Sequence, residues 1–453
     1  RNYIKVIINR YNTLESALIN HQFSKTIVLD YNDSELSPQT YKRFMKSVYH
    51  DDLWNHRVYI KILENWPKLD MFFVHGISRG KNQDNLKDKE FINKSNWKVK
   101  TYALILSLSR IFSFFKRNND AVILKTYLPF FQEIKLQLAL GQFPQFWKIP
   151  EVNIVEANSE SRAQFFQNYN QHLGLEREVR RLVHTLIPIC YLEGYRSLYS
   201  QVENCDWPSK PKFVFTSNSF SSDEVFKLWV AEKVEEGVPY YIGQHGNNYG
   251  TLKSSLMSPA MITCDKFFSW GWESISSNIN VVPAFIFKTI NMERIKHNKQ
   301  GGMLFIGSSA LLGEGRLCQD QFYEHILYQK QVLLFFDTLK ESIRRVTTAR
   351  LHISYLDSKS FGGELWRSKY PTIEMNYGYD NIFKEIAINR LTIFSYDSTG
   401  ILESLSLNTP IVCFWYGGLD DLLSDAIPYY ELLIDAGIVH LSPKSAANHI
   451  TKY

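Results

Sequence analysis

The stretch LTIFSYDSTGILESLSLNTPIVCFW, residues 391–415, contains a complete unit of strand, turn, helix, turn and strand. An apolar run of strand length comes first, and a polar turn ending in glycine follows it. The spacing of apolar residues over 400–408 predicts a short helix, and 409–415 is a second apolar strand. Two strands joined through a helix lie parallel in one sheet. The stretch therefore predicts an α/β fold.

The same alternation extends over the rest of the chain. Further strands are predicted at 3–8, 25–33, 120–128, 151–159, 212–220, 238–245, 301–309 and 349–356, and further helices at 13–23, 221–237 and 321–339. We expect two Rossmann-like domains that face each other across a cleft, at 1–285 and 286–453. In such domains, ligands bind at the carboxyl ends of the strands.

Composition limits the classes of partner. The chain has 51 Lys and Arg against 46 Asp and Glu, a net charge of +5, and no dense basic stripe. This balance suits a small anionic substrate or a membrane surface and argues against nucleic acid. The five cysteines are scattered without metal-ligand spacing, which indicates a reducing compartment and no structural zinc. Since the chain begins at Arg1, we expect it to be trimmed or part of a longer polypeptide.

The most apolar stretch, YALILSLSRIFSFF at 102–115, is shorter than the ~20 residues that span a membrane, and Arg110 interrupts it. A buried helix is the favoured interpretation. The alternative is an interfacial helix, because aromatic residues adjoin cations at its end.

Two turns in the C-terminal half have the composition of phosphate-binding loops. MLFIGSS (303–309) and FSYDSTG (394–400) both end a strand in small or hydroxyl side chains. Small residues let the backbone approach a ligand, and N–H groups that begin a helix bind phosphate. The alternative for the second turn is an ordinary helix cap made by Asp397 or Ser398. The candidate nucleotide-binding residues are Gly307, Ser308, Ser309, Tyr377, Tyr396, Ser398, Thr399, Gly400 and Glu403.

Candidate catalytic residues lie in the N-terminal half. IGQHGNNYG (242–250) places His245 in a loop whose glycines and asparagines tolerate left-handed backbone. That histidine can donate to an anion or move a proton, or it can simply bond to backbone. Asp223 and Glu224 fall in the first turn of a predicted helix, where a purely structural role is the alternative. Glu156 ends a predicted strand, where it is either a general base or an ordinary surface residue.

Four segments carry a resemblance to a known family. They are HGISRG (75–80), TSNSFSSDEVFKLWVAEKVEEGVPYYIGQHGNNYG (216–250), FFSWGW (267–272) and YDSTGILESLSLNTPIVCFW (396–415). Together they resemble bacterial cell-surface polysaccharide transferases, a group similar to the retaining β-Kdo glycosyltransferases that use CMP-Kdo. The resemblance covers about 70–415. It implies a glycosyltransferase B-type fold with nucleotide in the C-terminal domain and acceptor in the N-terminal domain.

The resemblance also implies a mechanism. It maps an aspartate nucleophile onto Asp223, with Glu156 or His245 as the base that activates the acceptor. Two successive inversions then retain the anomeric configuration. No cofactor or metal is implied beyond the nucleotide-sugar donor, which fits the absence of a DxD-like signature. Candidate substrate-binding residues are Gln244, Asn218, Lys125 and Arg162, with Lys253 and Arg316 as further cations for the donor carboxylate.

The expected product is a surface glycan such as lipopolysaccharide O-antigen or capsule. The acceptor would be a glycan or lipid-linked glycan, and the location cytoplasmic, at the inner face of the membrane. One alternative is a transferase for another nucleotide sugar, such as a CMP-nonulosonate or a UDP-hexose. Another is a non-catalytic module that binds glycan or nucleotide. A hydrolase is a third alternative, and no paired metal ligands support it.

Overall fold

The computed structural model describes residues 2–29, 33–66, 70–74, 114–164, 171–255, 258–273, 279–308, 321–352, 366, 368–415 and 417–452. The motif at 75–80, Ser309, Arg316 and nearly all of the apolar stretch at 102–115 lie outside these ranges. Within the ranges, no helix combines the length and the apolar character that a membrane span requires.

The described strands are β1 (Lys25–Leu29), β2 (Asp70–Val74), β3 (Val122–Leu124), β4 (Val214–Thr216), β5 (Tyr240–Gly243), β6 (Lys266–Ser269), β7 (Val281–Pro283), β8 (Met303–Ile306), β9 (Thr347–Arg350), β10 (Glu374–Asn376), β11 (Leu391–Phe394), β12 (Ile411–Phe414) and β13 (Val439–His440). The described α-helices are α1 (Asn2–Asn20), α2 (Tyr41–His50), α3 (Asp52–Leu63), α4 (Phe130–Ala139), α5 (Ser159–Gln164), α6 (Gly174–Leu186), α7 (Tyr195–Glu203), α8 (Ser219–Ser222), α9 (Glu224–Glu235), α10 (Pro259–Ile262), α11 (Gln321–Thr338), α12 (Glu341–Arg344), α13 (Ile382–Ile388), α14 (Thr399–Ser406), α15 (Ile427–Asp435) and α16 (Pro443–Lys452).

The C-terminal sheet has the strand order of a doubly wound nucleotide-binding fold. Its six strands run β10-β9-β8-β11-β12-β13, and every neighbouring pair is parallel. In order along the chain this is 3-2-1-4-5-6, so the winding direction reverses between β8 and β11. A reversal of this kind leaves a crevice at the carboxyl ends of the two central strands. The loops after β8 and β11 therefore border that crevice.

The N-terminal sheet is wound differently. Its five strands run β3-β4-β5-β6-β7, all parallel and in sequence order, while β1 and β2 form a separate parallel pair. The predicted α/β class with parallel sheets is thus confirmed, as are the strands within 212–220, 238–245, 301–309, 391–399 and 409–415. The division into domains at 285 and the glycosyltransferase B-type arrangement stay predictions.

Two predicted strands are wrong. Residues 3–8 belong to helix α1, because Tyr3, Val6 and Ile7 recur at helical spacing and pack into one cluster with residues of α2, α3 and α6. Residues 151–158 pair with no strand. Their backbone bonds instead to two glutamine side chains: Gln39 exchanges hydrogen bonds with Val155, and Gln201 does so with Glu151 and Asn153. The predicted helix at 221–237 is also interrupted, at Asp223, between α8 and α9.

Candidate functional site

A pocket of about 720 Å³ lies where the loop after β5 meets the start of α14. His245 and Asn247 line it from the N-terminal sheet, and Thr399 lines it from the C-terminal sheet. The chain brings these residues together although about 150 positions separate them, as the contact between Asn247 and Thr399 shows. The pocket therefore contains residues from both halves of the predicted site.

Gln244 holds the loop after β5 in place. Its side chain is 1% exposed, and its Oε1 accepts hydrogen bonds from the Trp270 N–H and from Trp272 Nε1, both at 2.8 Å. Its Nε2 donates to the Gly246 carbonyl at 2.7 Å. These contacts occupy the amide on both sides, so Gln244 positions the loop against the FFSWGW segment. Its predicted contact with substrate is untested.

The bend of this loop differs from the expected one. Of its glycines and asparagines, only Gly250 has left-handed backbone, with a φ of 72°. Gly243 is needed for a different reason: a Cβ there would lie 2.4 Å from Phe287 and 2.7 Å from Ser217 Oγ. Gly246 has space, since a Cβ would lie no nearer than 3.6 Å to Thr399 Oγ1.

His245 is enclosed by aromatic rings. The Tyr127 ring stacks on it with centroids 6.2 Å apart, Tyr249 meets it edge to face at 5.3 Å, and Phe220 lies at 6.0 Å. Burial lowers the pKa of His245, and a hydrogen bond with the Ser217 backbone acts in the opposite direction. The buried Nδ1 has no hydrogen-bond partner among the described residues. A neutral imidazole can accept a proton, and Nδ1 has almost no exposed surface in this structure.

Left-handed backbone occurs instead across from this loop, at Lys125 and Tyr127, whose φ values are 46° and 61°. Side chains other than glycine and asparagine rarely take this conformation, and such strain clusters at functional sites. With this backbone conformation, the Tyr127 ring stacks on His245, and Lys125 Nζ lies 2.6 Å from Asp223 Oδ2. Asn218 Nδ2 donates to the Tyr127 hydroxyl at 3.1 Å. Sequence reasoning missed Tyr127, and no sequence signal marks a strained tyrosine.

The two neighbouring acids of the predicted catalytic helix have different surroundings. Asp223 immediately precedes α9, and its side chain is 16% exposed and pairs with Lys125. Phe220 and Ser221 of the same segment line the pocket, but Asp223 does not. Glu224 is buried, with Lys227 Nζ at 2.5 Å, the Tyr41 N–H at 2.9 Å and a hydrogen bond from Tyr191. This cluster adjoins the pocket.

Glu156 and Arg162 lie apart from the pocket lining. Glu156 is exposed on the extended segment and ends no strand, which corrects its expected position. Arg162 is buried, and its guanidinium binds both oxygens of Glu193 at 2.6 and 2.7 Å. It also donates to two carbonyls at 2.7 Å. Four N–H donors of Arg162 thus bind groups of the protein itself. The further candidate cation, Lys253, donates from Nζ to the Asp420 carbonyl at 2.6 Å.

Two of the predicted nucleotide-binding turns follow β8 and β11, on either side of the crevice between these strands. The Ser308 N–H donates to the Tyr328 hydroxyl at 2.8 Å, and that hydroxyl is 2.7 Å from Ser395 Oγ. At Gly307, a Cβ would meet Leu351 at 3.0 Å, so the small residue permits close packing. Tyr377 and Tyr396 are partly buried and pack against the two cores of this sheet. These contacts link the two turns that the composition singled out.

The turn after β11 is also a helix cap. Ser398 is the N-cap of α14, and its hydroxyl accepts from the Gly400 N–H at 3.2 Å. Thr399 Oγ1 accepts from the Asn247 N–H at 3.3 Å. Glu403 is buried and pairs with Lys288 at 2.9 Å. The cap interpretation is confirmed for Ser398, while the phosphate and ribose contacts stay predictions.

Asp397 is the acidic residue of this turn. It accepts from Asn247 Nδ2 at 2.9 Å and from the Tyr430 hydroxyl at 3.2 Å. Burial raises the pKa of Asp397, and these two hydrogen bonds reduce the shift. Asp397 thus joins the loop after β5 to the C-terminal sheet.

Residues of the types that bind metal ions are dispersed over the described ranges. There, no three His, Cys, Asp or Glu side chains lie close enough together to hold a metal ion. The metal requirement of the reaction stays a prediction.

Comparison with known proteins gives the family of the chain. No curated protein is significantly similar to it. A family model described as "LIC12162 family transferase" matches residues 1–453, the whole length of the chain. The chain therefore belongs to the LIC12162 family of transferases.

Proposed function

We propose that the chain is a glycosyltransferase that moves a sugar from a nucleotide-sugar donor onto a glycan. The observation that carries the proposal is the pocket lined by His245 from one parallel sheet and Thr399 from the other. The second sheet has the strand order of nucleotide-binding folds, with its crevice next to Thr399. Membership of a transferase family supports an enzyme that transfers a group.

In this proposal the donor nucleotide occupies the crevice between β8 and β11. Gly307 and Ser308 border it on one side, and Tyr396 and the start of α14 border it on the other. A helix N-terminus favours a phosphate, because its N–H groups and dipole attract negative charge. Phosphate bound there would place the attached sugar toward Thr399 and the pocket.

The acceptor hydroxyl would be activated by His245. Its lowered pKa leaves the imidazole neutral at pH 7, and Nδ1 has no partner among the described residues. Glu156, the other candidate base, is exposed and does not line the pocket. We therefore assign the proton transfer to His245.

Asp223 is the proposed nucleophile. Its carboxylate would attack the anomeric carbon as the bond to the nucleotide phosphate breaks, and the acceptor oxygen would then displace it. Lys125 Nζ, at 2.6 Å, balances its charge in the free enzyme. Because Asp223 does not line the pocket, its side chain must turn away from Lys125 to reach the sugar.

CMP-Kdo is the first donor to test, because the resemblance of the motifs is to enzymes that use it. Kdo carries a carboxylate, and Lys125 would be released to meet it when Asp223 turns toward the sugar. The acceptor would be a lipopolysaccharide O-antigen, a capsular glycan or a lipid-linked precursor, at the cytoplasmic face of the membrane.

The test combines donor screening with intact mass. The protein is incubated with CMP-Kdo, a CMP-nonulosonate and UDP-hexoses, and released nucleotide is measured together with protein mass. We expect CMP release and a mass increase of one Kdo, located by peptide mapping at Asp223 and lost in Asp223→Asn. Nucleotide release with a UDP-hexose and with no other donor would identify a UDP-hexose, rather than CMP-Kdo, as the donor. Binding of every donor without release of nucleotide would contradict the proposed enzymatic activity and would favour a non-catalytic binding module.

A further inference from the structure

One end of the pocket is lined by lysines and aromatic rings that the proposed reaction does not use. This end, which we call the tyrosine–lysine end, consists of Tyr3 and Lys5 on α1, Tyr41 on α2, Tyr191, and Lys227 on α9. It adjoins the same cavity as His245. A molecule that fills the pocket would therefore contact both.

Lys227 is held in a fixed position at this end. Its Nζ lies 2.5 Å from Glu224 Oε2 and donates to the Tyr191 hydroxyl at 2.7 Å. The ammonium also lies 5.2 Å from the ring centroid of Tyr41 and 5.5 Å from that of Tyr191. These contacts use two of the three N–H donors of Lys227. The side chain is 27% exposed and lines the pocket, and the contacts named here leave the third donor unassigned.

The charge around the cavity favours an anion. Lys5 and Lys227 are among the lining residues, and none of the lining residues in the described part of the chain is Asp or Glu. Glu224 contacts Lys227 from the protein side, where its carboxylate is 1% exposed and also accepts the Tyr41 N–H. Its charge therefore orients the ammonium without facing the cavity.

Aromatic rings surround these lysines. Tyr3, Tyr41 and Tyr191 line this end, and Phe220 and Tyr249 line the cavity toward His245. Rigid aromatic rings provide apolar area for the carbon–hydrogen faces of a sugar, and a few charged groups fix its orientation. The combination suits a sugar that bears a negative charge better than a neutral sugar or an apolar ligand.

We propose that the tyrosine–lysine end is the acceptor subsite, and that it recognises a sugar through an anionic group held by Lys227 and Lys5. The inference rests on the proposed function only in naming the ligand an acceptor. A sugar carboxylate and a sugar phosphate share the required chemistry, and separate probes distinguish them.

The test measures binding by calorimetry with the whole chain and without donor. The probes are glucuronic acid, glucose 6-phosphate and glucose, which share a six-membered ring and differ in charge. We expect one of the two anionic probes to bind at least about tenfold more tightly than glucose, because a charge-assisted hydrogen bond is worth that factor. Lys227→Met and Lys5→Met should each remove most of this preference.

Matched variants separate recognition from folding. Lys227→Met leaves Glu224 buried without its cation, so the double variant Glu224→Gln with Lys227→Met removes both charges together and should lose the preference in the same way. Lys233→Met is the control, because Lys233 is on the same helix and pairs with Glu236 away from the cavity. It should bind the probes as the unchanged protein does.

Equal affinity for glucose and for both anionic probes would overturn the inference, as would full retention of the preference in the double variant. Neither result depends on nucleotide release. If CMP release fails while the charge preference holds, the proposed donor reaction is wrong and the subsite stands. If CMP is released and the preference is absent, the subsite alone is wrong.

Discussion

Asn247 Nδ2 donates a hydrogen bond of 2.9 Å to Asp397 Oδ1, and this bond ties the loop after β5 to the turn after β11. The Asn247 N–H adds a second link to Thr399 Oγ1 at 3.3 Å. His245 and Thr399 line one pocket, and Asn247 belongs to the same loop as His245. Asn247 thus supplies two of the hydrogen bonds that join the loop carrying His245 to the turn after β11.

Replacing Asn247 by Ala should destabilise the protein and reduce transfer. The change leaves the partly buried Asp397 with the Tyr430 hydroxyl as its donor among the described residues, and a lost hydrogen bond to a charged acceptor costs ~1–3 kcal/mol. Urea unfolding and nucleotide release measure the two effects. Asn248→Ala is the control for the unfolding measurement, because Asn248 is the exposed neighbour. Equal values for the two variants would contradict a linking role for Asn247.

Gly243 and Gly246 should respond differently to alanine. At Gly243 the new methyl group would lie 2.4 Å from the Phe287 ring, so Gly243→Ala should cost ~1–3 kcal/mol through overpacking. At Gly246 the nearest atom would be 3.6 Å away, which is ordinary contact, and Gly246→Ala should unfold like the unchanged protein. Thermal unfolding of the two variants side by side checks this order. A more stable Gly243→Ala than Gly246→Ala would refute it.

The pH dependence of transfer should reflect His245. Burial lowers its pKa from the ordinary value of 6.5, so the neutral base is present at pH 7 and is lost as the pH falls through the lowered pKa. The value of kcat/KM should therefore decline on the acid side with a midpoint below 6.5. His245→Gln should lower kcat by ~100-fold or more and remove this decline.

His172→Gln provides the control for that profile, because His172 contacts Glu176 at 3.1 Å and does not line the pocket. It should keep both the rate and the acid limb. An unchanged acid limb in His245→Gln would assign the proton transfer to another group.

Arg162 should matter for stability and leave ligand affinity unchanged. Arg162→Met removes the partner of Glu193 and leaves two carbonyls without their donor, and breaking a buried ion pair costs ~3–5 kcal/mol. Arg180→Met, where the side chain is 52% exposed, should change stability by less than ~0.5 kcal/mol. Donor and acceptor affinities of folded Arg162→Met distinguish this role from substrate binding, since a large loss of affinity would restore Arg162 as a ligand residue.

Prediction from sequence succeeded where the signal is local. The strands β8, β11 and β12 are short apolar runs bounded by turn residues, and the helix α14 between them begins at a serine cap. It failed over 3–8 because a short apolar run next to a helical pattern is compatible with a strand and also with a continuation of the helix. It failed over 151–159 because glutamine side chains from distant positions satisfy the backbone there.

The amino-acid pattern by itself determined the α/β class, the parallel strands and the two hydroxyl-rich turns, since each depends on residues within about 25 positions of one another. Only the tertiary structure decided the strand order, the aromatic surroundings of His245, the pairing of Arg162 with Glu193 and the bond between Asn247 and Asp397. These features join groups that are distant along the chain. Hydrophobic periodicity records which side of an element is buried, and it contains no information about which distant side chain that element meets.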